Sequence, residues 1–149
     1  MVDVSSEIEI DAPVGVVGAF AAEPTNAPRW YINIKSVEWQ TPPPVALGTR
    51  VAFVARFLGR RLAYTYEVTE FVPGRRLVMR TAQGPFPMET TYTWEALADG
   101  RTRMRLRNRG QPEGFSRLAG PFVELAMGRA NRNDLVRLKD LIERGTTSP

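Results

Sequence analysis

Apolar and polar residues alternate with a period of two in the second half of the chain, a pattern typical of half-buried β-strands. In 102–109 every second residue is an arginine, and the positions between the arginines are mainly apolar. In 88–97 one face carries Met88, Tyr92 and Trp94, and the other carries threonines and glutamates. The two segments therefore predict an antiparallel hairpin whose apolar face points inward.

The register of this hairpin follows from matching the two faces. A two-residue turn at Asp99-Gly100 would set Trp94 opposite Arg105 and mix apolar with charged positions. A three-residue loop at 98–100 avoids this conflict. It gives the pairs Trp94–Met104, Tyr92–Leu106, Glu95–Arg103 and Glu89–Arg109, and is therefore predicted.

Two further hairpins are predicted upstream. A tight turn at Gly59-Arg60 would close the first, because glycine suits the first central position of a type II′ turn. A second turn is predicted at 72–75. These turns give the pairs Phe57–Leu62, Ala55–Tyr64, Phe53–Tyr66, Val51–Val68, Val68–Met79 and Glu67–Arg80. The result is a curved antiparallel meander over about 49–109 with one face rich in aromatic residues.

Near the N-terminus a strand gives way to two short helices. The alternation ends at Ile10, and Asp11 is predicted to accept backbone N–H groups at the start of a helix with Pro13 in its first turn. A second helical turn is predicted over 23–30, before a strand near 34–40.

The C-terminal part changes to a period of 3.6 and predicts one long helix that ends near Gly145, with a kink or break at Gly120-Pro121. Two arginines, Arg129 and Arg132, lie near its apolar stripe; either they point at the sheet or they turn outward, and the outward orientation is favoured. The apolar stripe is predicted to contain Phe115, Leu118, Phe122, Leu125, Leu135, Leu138 and Ile142.

Composition narrows the possible chemistry. The 149 residues suffice for one domain, expected to span 1–149. The absence of Cys and His excludes disulfides, thiol catalysis and histidine chemistry, and no clustered carboxylates suggest a metal site. No cofactor or metal is expected. Without a membrane-spanning run or a signal segment, we expect a cytoplasmic protein with no membrane span.

The net charge of +4 raises the question of nucleic-acid binding. The basic residues are scattered along the strands and are not concentrated in a tail or on one helical face. This distribution favours a solvated, arginine-rich surface, and no nucleic-acid partner is expected.

Several turn and cap segments make the chain resemble a known family. They are 10–14 (IDAPV), 26–30 (NAPRW), 44–49 (PVALGT), 66–70 (YEVTE), 73–77 (PGRRL), 100–102 (GRT) and 134–139 (DLVRLK). Their order, over nearly the whole chain, is similar to the SRPBCC or START-like helix-grip superfamily, particularly its bacterial polyketide cyclase/dehydrase branch. That superfamily includes lipid and hormone carriers, cyclases, ring-hydroxylase subunits and chaperone partners.

The resemblance implies an α+β helix-grip fold: a curved antiparallel sheet of about seven strands, in the order β-α-α-β6-α, wrapped around the C-terminal helix with an internal cavity. A filled apolar core is the structural alternative. With Trp30 near one entrance, the predicted ligand-binding residues are Trp30, Phe53, Phe57, Tyr64, Tyr66, Met79, Met88, Tyr92, Trp94, Phe122, Leu125 and Arg129.

Three functions remain open. The first is the binding of a hydrophobic small molecule, fatty-acid-like or aromatic. The second is a cofactor-free polyketide cyclase, aromatase or dehydratase that uses the same cavity; its catalytic residues are unknown, and the candidates for proton transfer are Tyr64, Tyr66, Tyr92, Arg129 and Glu124. The third is a protein-interaction module, or a homodimer, for which an exposed apolar patch near Leu141 would be the sign.

Overall fold

The computed structural model describes residues 2–57, 59–84, 87–110 and 120–147. The elements in chain order are β1 (Val2–Ile10), α1 (Val14–Ala22), a 3-10 turn (Pro24–Asn26), α2 (Ala27–Trp30), β2 (Ile34–Trp39), β3 (Arg50–Phe57), β4 (Arg60–Val72), β5 (Arg76–Gln83), β6 (Met88–Ala96), β7 (Thr102–Gly110) and α3 (Gly120–Thr147). The strands form one antiparallel sheet in the order β1-β7-β6-β5-β4-β3-β2. The predicted order of elements is confirmed.

Two of the predicted strand registers are confirmed. In the β6–β7 pair, Trp94 lies opposite Met104 and Tyr92 opposite Leu106, as the three-residue loop requires. In the β4–β5 pair, Val68 lies opposite Met79. Alternation excluded the registers that are shifted by one residue, and the predicted turn positions chose among the others.

The predicted register of the β3–β4 pair is wrong by two residues. Gly59 adopts a φ of 77°, a conformation that costs glycine little, and the chain reverses between Phe57 and Arg60. The observed pairs are Phe57–Arg60, Ala55–Leu62, Phe53–Tyr64 and Val51–Tyr66. A shift of two residues keeps every side chain on its predicted face, so the inner surface is unchanged in composition.

The prediction that Asp11 caps α1 is also wrong. The N-cap residue is Pro13, and its carbonyl accepts hydrogen bonds from the backbone N–H groups of Val16 and Val17. The backbone N–H of Asp11 instead donates to the Glu143 carboxylate at 2.9 Å. This contact joins the end of β1 to the C-terminal part of α3.

α3 is supported against the sheet near both of its ends. Val123 packs with Val2 and Val4 of β1. In the second half of the helix Leu135, Leu138 and, nearer its end, Ile142 join the main core, where all three are buried. The ammonium group of Lys139 also donates to the backbone carbonyl of Glu9.

Part of the predicted apolar stripe of α3 faces away from the sheet. Phe122 and Leu125 are 59% and 62% exposed, and Arg129 and Arg132 are exposed on the same side. The favoured outward orientation of the two arginines is therefore confirmed. Leu141, where an exposed apolar patch would have favoured a protein-interaction module or a homodimer, is half-buried against the core. Phe115 and Leu118 lie outside the described residues, as does the rest of 111–119, the segment just before the predicted kink.

The outer face of the sheet carries rows of ion pairs between strands. They include Arg107–Asp3 at 2.7 Å, Arg105–Glu7 at 3.0 Å, Arg103–Glu95 at 3.6 Å and Arg109–Glu89 at 2.8 Å. Partial burial alone would raise the pKa of Glu89, but hydrogen bonds from Arg80 and Arg109 hold it below its ordinary value. In the described part of the chain, no helix is both long and apolar enough to cross a bilayer.

The anchoring of α3 can be tested by shortening one buried side chain. Leu138→Ala should lower the free energy of unfolding by about 2–5 kcal/mol, because it leaves a void where α3 meets the sheet. The matched control is Val136→Ala on the same helix, where the side chain is 58% exposed and the change should stay within about 0.5 kcal/mol. Urea denaturation of the two variants gives the comparison, and equal losses would contradict this account of the helix.

Candidate functional site

A cavity of about 150 Å³, partly open to solvent, lies between the concave face of the sheet and the first half of α3. Its apolar lining comes from Ile34, Phe53, Ala55, Phe57, Leu62, Met79, Met88, Val123, Met127 and Ala130, together with the rings of Tyr64 and Tyr66. Its polar lining consists of Tyr31, Asn33, Thr90, Tyr92, Asn108, Asn131 and Asp134. The space is roughly ten times what one buried water molecule needs.

The side chains of α3 explain why the gap remains unfilled. Between its two apolar contacts with the sheet, the helix turns Met127, Ala130, Asn131 and Asp134 towards the cavity. One of these is a methyl group, and two are short polar groups that avoid apolar surroundings unless they are hydrogen-bonded. The helix is therefore held above the sheet without side chains that would close the space beneath it.

Asp134 is the buried acid of the site. Only 3% of the residue is exposed, and its carboxylate accepts a hydrogen bond from the backbone N–H of Ile32 at 2.9 Å. Burial raises the pKa of Asp134 from 3.8 to about 6, although the Ile32 hydrogen bond and the charge of Arg137 oppose the rise. The carboxyl group can therefore exchange a proton near neutral pH.

Two tyrosine hydroxyls meet next to this acid. The hydroxyl groups of Tyr31 and Tyr92 are hydrogen-bonded at 2.5 Å, and the ring of Tyr92 also packs against Trp30. Burial raises the pKa of both phenols, and the nearby charge of Asp134 raises it further. Both tyrosines therefore remain protonated at neutral pH and act as neutral hydrogen-bonding groups.

A second polar group is a chain of side-chain hydrogen bonds that ends at Asn131. The Thr90 hydroxyl donates to Asn108 Oδ1 at 2.6 Å, and Asn108 Nδ2 donates to Asn131 Oδ1 at 3.1 Å. Asn131 is only 4% exposed, and its Nδ2 has no hydrogen-bond partner. Burying an amide N–H group without a hydrogen-bond partner costs free energy. Most buried donors have a partner, so this unpaired group is unusual.

Tyr66 connects the apolar and polar parts of the wall. Its ring lies 5.8 Å from the rings of Phe53 and Tyr64, centroid to centroid. Burial raises the pKa of its phenol, and hydrogen bonds with the side chains of Thr90 and Thr81 limit the rise. The aromatic surface and the hydrogen-bond chain are thus parts of one wall.

The structure brings seven of the twelve predicted ligand-binding residues to the cavity wall. They are Phe53, Phe57, Tyr64, Tyr66, Met79, Met88 and Tyr92. All seven lie on strands, where the period of two decided which side chains face inward.

The other five predicted residues lie elsewhere. Trp30 and Trp94 are 0% and 5% exposed and belong to the main core, so Trp30 is not at an entrance. Phe122, Leu125 and Arg129 are exposed on the opposite side of α3 from the cavity. A helix turns 100° per residue, so assigning the wrong face to the first part of α3 misplaced these three residues together. Leu135, Leu138 and Ile142, later in the predicted stripe, do face the core.

Sequence reasoning missed Tyr31, Thr90, Asn108, Asn131 and Asp134. A signal for two of them was present. Asn131 and Asp134 stand four and seven residues after Met127, which puts them on the cavity-facing stripe of the helix. Polar residues inside such a stripe are candidates for a site. Thr90 and Asn108 carried a similar signal, because the period of two placed these polar residues on the inner faces of their strands. Only Tyr31 could not be separated from ordinary loop residues.

Among the residues that the structure describes, no cluster of acidic side chains has the arrangement of a metal site. Within the described part of the chain, the cavity wall holds one carboxyl group and no Lys or Arg. The arrangement can therefore hold an apolar molecule, offer it neutral hydrogen-bonding groups, and exchange a proton at Asp134.

Comparison with known proteins gives the family. The family described as "Polyketide cyclase / dehydrase and lipid transport" matches residues 1–143. The chain belongs to this family. The resemblance seen in the turn and cap segments is thereby confirmed. No curated protein matches the sequence.

Solved structures show that this member of the polyketide cyclase/dehydrase and lipid transport family has the helix-grip fold. TTHA0849 from Thermus thermophilus is 21% identical over 98% of this chain and 99% of that chain, with a TM-score of 0.83. A START superfamily protein from Mycobacterium smegmatis is 15% identical over 95% and 97%, with a TM-score of 0.82. The Zhui aromatase/cyclase from Streptomyces sp. R1128 is 16% identical over 98% and 96%, with a TM-score of 0.81.

The buried acid of this family member makes stability depend on pH. Because the pKa of Asp134 is about 6 in the folded protein and 3.8 is ordinary, the folded state binds more protons than the unfolded chain between these values. Its contribution is complete below about pH 4 and is lost as the pH rises through 6. Relative to Asp134→Asn, the wild-type free energy of unfolding should fall by about 3 kcal/mol over this window.

Denaturant unfolding at a series of pH values measures this difference. Asp140→Asn, at an exposed position on the same helix, retains Asp134 and should show the wild-type fall. Parallel curves for the wild type and Asp134→Asn would contradict the assigned environment of Asp134.

Proposed function

We propose that this protein binds a hydrophobic small molecule in the cavity between the sheet and α3. The observation that carries the proposal is the partly open space of about 150 Å³ with an aromatic and aliphatic lining. Apolar surface that solvent can reach gains free energy when an apolar guest covers it. Membership of a family whose description includes lipid transport agrees with this function.

The volume points to a compact guest. An apolar cavity of about 150 Å³ is the size that holds a benzene molecule in other proteins. A second void of about 20 Å³ shares Phe53, Tyr66, Met79 and Tyr92 with the main cavity, so side-chain rotation can join the two. A single ring with a short substituent therefore fits without movement of the backbone.

We also propose that 1–149 acts as a single ligand-binding domain. Val2 and Val4 from the start of the chain and Val123 from its last helix form one cluster next to the cavity. Because residues from both ends of the chain form this cluster, the site can form only when the whole domain is folded.

A cavity-filling substitution tests the proposed function. Fluorobenzene, a neutral single ring, should bind the wild type saturably in fluorine NMR titrations. Ala130→Trp replaces a methyl group on the cavity wall with an indole and should weaken this binding by at least about tenfold, because the indole occupies the space of the guest.

The matched control is Val136→Trp, which adds the same ring on the exposed side of α3 and should bind fluorobenzene as the wild type does. Thermal unfolding of both variants verifies that they fold. The absence of saturable binding to the wild type, or equal binding by Ala130→Trp, would count against the cavity as a binding site.

A second candidate function is proton-transfer catalysis of the cyclase or dehydratase type. The observation that favours it is the buried Asp134, whose pKa of about 6 lies near neutrality and which stands close to the Tyr31 and Tyr92 hydroxyls. A carboxyl with such a pKa can take a proton from carbon and return one to a leaving hydroxyl. Membership of this family supports proton-transfer catalysis as a candidate function as well.

A short linear β-triketone, which closes to one phenolic ring with loss of one water molecule, is a substrate of suitable size. If the second function holds, the protein should accelerate formation of the phenol, followed by ultraviolet absorbance. Asp134→Asn should lower the rate by about a hundredfold or more, because the variant has no group that ionises in this range. Asp140→Asn should keep the wild-type rate. A wild-type rate no faster than that in buffer would exclude this reaction.

A further inference from the structure

We propose that the ligand of this cavity is an uncharged, single-ring-sized molecule with a carbonyl oxygen, bound by the side-chain N–H of Asn131. The inference rests on the proposed binding function and adds the chemical class of the ligand. It depends on two features of the wall: one buried donor without a partner, and a charge distribution that disfavours anions.

The donor is Asn131 Nδ2. The direction of the hydrogen-bond chain, from Thr90 to Asn108 to Asn131, uses the Asn131 carbonyl as an acceptor and leaves its N–H group unpaired. Asn131 lines the cavity, although Nδ2 itself is covered, so a guest that displaces the side chains over this atom can supply the missing acceptor. A carbonyl oxygen has the lone pairs for this bond and no proton that would oppose it.

The position of Asn131 is also held by two other side chains of the cavity wall. Asn108 fixes its amide from β7, and Thr90 fixes Asn108 from β6. The donor therefore stays oriented before a ligand arrives, which lowers the entropic cost of binding. A hydrogen-bond donor with these supports discriminates between guests of similar shape, because an apolar guest leaves it unpaired.

The charges of the wall exclude carboxylates. Arg and Lys make up 20 of the 149 residues, yet none of those in the described ranges contributes to the lining. Of the lining residues, Asp134 is the one that can carry a charge near neutrality. Among the described lining residues, a guest carboxylate would meet this like charge and no cation, and it would lose its hydration. Arg60, whose charge acts on the Tyr64 phenol, lies outside this lining. The free fatty acid expected among the ligands is therefore disfavoured.

The groups around Asp134 do not offset its negative charge within the cavity wall. The Tyr31 hydroxyl, on the chain after α2, and the Tyr92 hydroxyl of β6 are neutral phenols near it. Arg137, on the same helix, has its Nε directed to the backbone carbonyl of Arg29, outside the lining. The cavity as a whole therefore presents a neutral donor beside an acidic group.

Three compounds with one ring and similar shape test the inference by competition with fluorobenzene: acetophenone, ethylbenzene and benzoate. At pH values well above 6 the wild type should bind acetophenone at least as tightly as ethylbenzene. If its carbonyl had no hydrogen-bond partner in the cavity, acetophenone would instead bind more than about tenfold more weakly than ethylbenzene. The reason is that removing a carbonyl group from water costs free energy. Benzoate should be the weakest of the three.

Two variants assign the preference to residues. Asn131→Leu keeps the approximate volume and removes the donor, so the ratio of acetophenone affinity to ethylbenzene affinity should fall about tenfold. Asn133→Leu is the same change at an exposed position of α3 and should leave the ratio unchanged. Asp134→Asn should raise the ratio of benzoate affinity to acetophenone affinity by at least about tenfold, and Asp140→Asn should not.

The outcomes separate the two proposals. If fluorobenzene does not bind the wild type, the binding function fails and this inference fails with it. If fluorobenzene binds but ethylbenzene binds more than about tenfold tighter than acetophenone, only the inference is overturned. Tighter binding of 1-phenylethylamine than of acetophenone would also overturn it, because Asp134 would then be the anchor. The wild-type comparison decides the matter even if a variant does not fold.

Discussion

The support of α3 near its two ends is the constraint on which the site depends. Val123 packs on β1 near the start of the helix, and Leu135 and Leu138 enter the main core further along. The helix between Val123 and Leu135 is about 18 Å long and does not bend into the sheet, because its backbone hydrogen bonds keep it straight. Where its inward side chains are short, as at Ala130 and Asn131, a gap remains. The cavity is thus a consequence of side-chain size along a rigid span.

Polar side chains hold the walls of that gap at the same time as they give it chemical character. The Asp134 carboxylate fixes the backbone of Ile32 just before β2, and the Tyr31 hydroxyl fixes Tyr92 on β6. The bonds from Thr90 through Asn108 to Asn131 join β6, β7 and α3. Buried polar groups stabilise such a site only when they are paired. The N–H group of Asn131, which has no partner in this network, therefore indicates that the ligand carries a hydrogen-bond acceptor.

Charge is divided between the two faces of the sheet. On the convex face the arginines of β7 meet acids of β1 and β6, and such exposed pairs contribute about 0–1 kcal/mol each. On the concave face the cavity lining, as far as the structure describes the chain, has one acid and no arginine or lysine. A polar cavity wall made of amides, phenols and one carboxyl group suits an uncharged guest. The arginine-rich composition describes the outside of the protein and says little about its binding site.

The sequence by itself determined the faces of the strands, because a period of two admits only one inner face. Even the wrong β3–β4 register kept Phe53, Phe57 and Tyr64 inside, since it was shifted by an even number of residues. The helix was different. Phe122 and Leu125 made its outer side as apolar as its inner side, so periodicity alone could not choose between them. Only the tertiary structure decided, by packing the Val123 side on β1, and this brought Asn131 and Asp134 to the cavity.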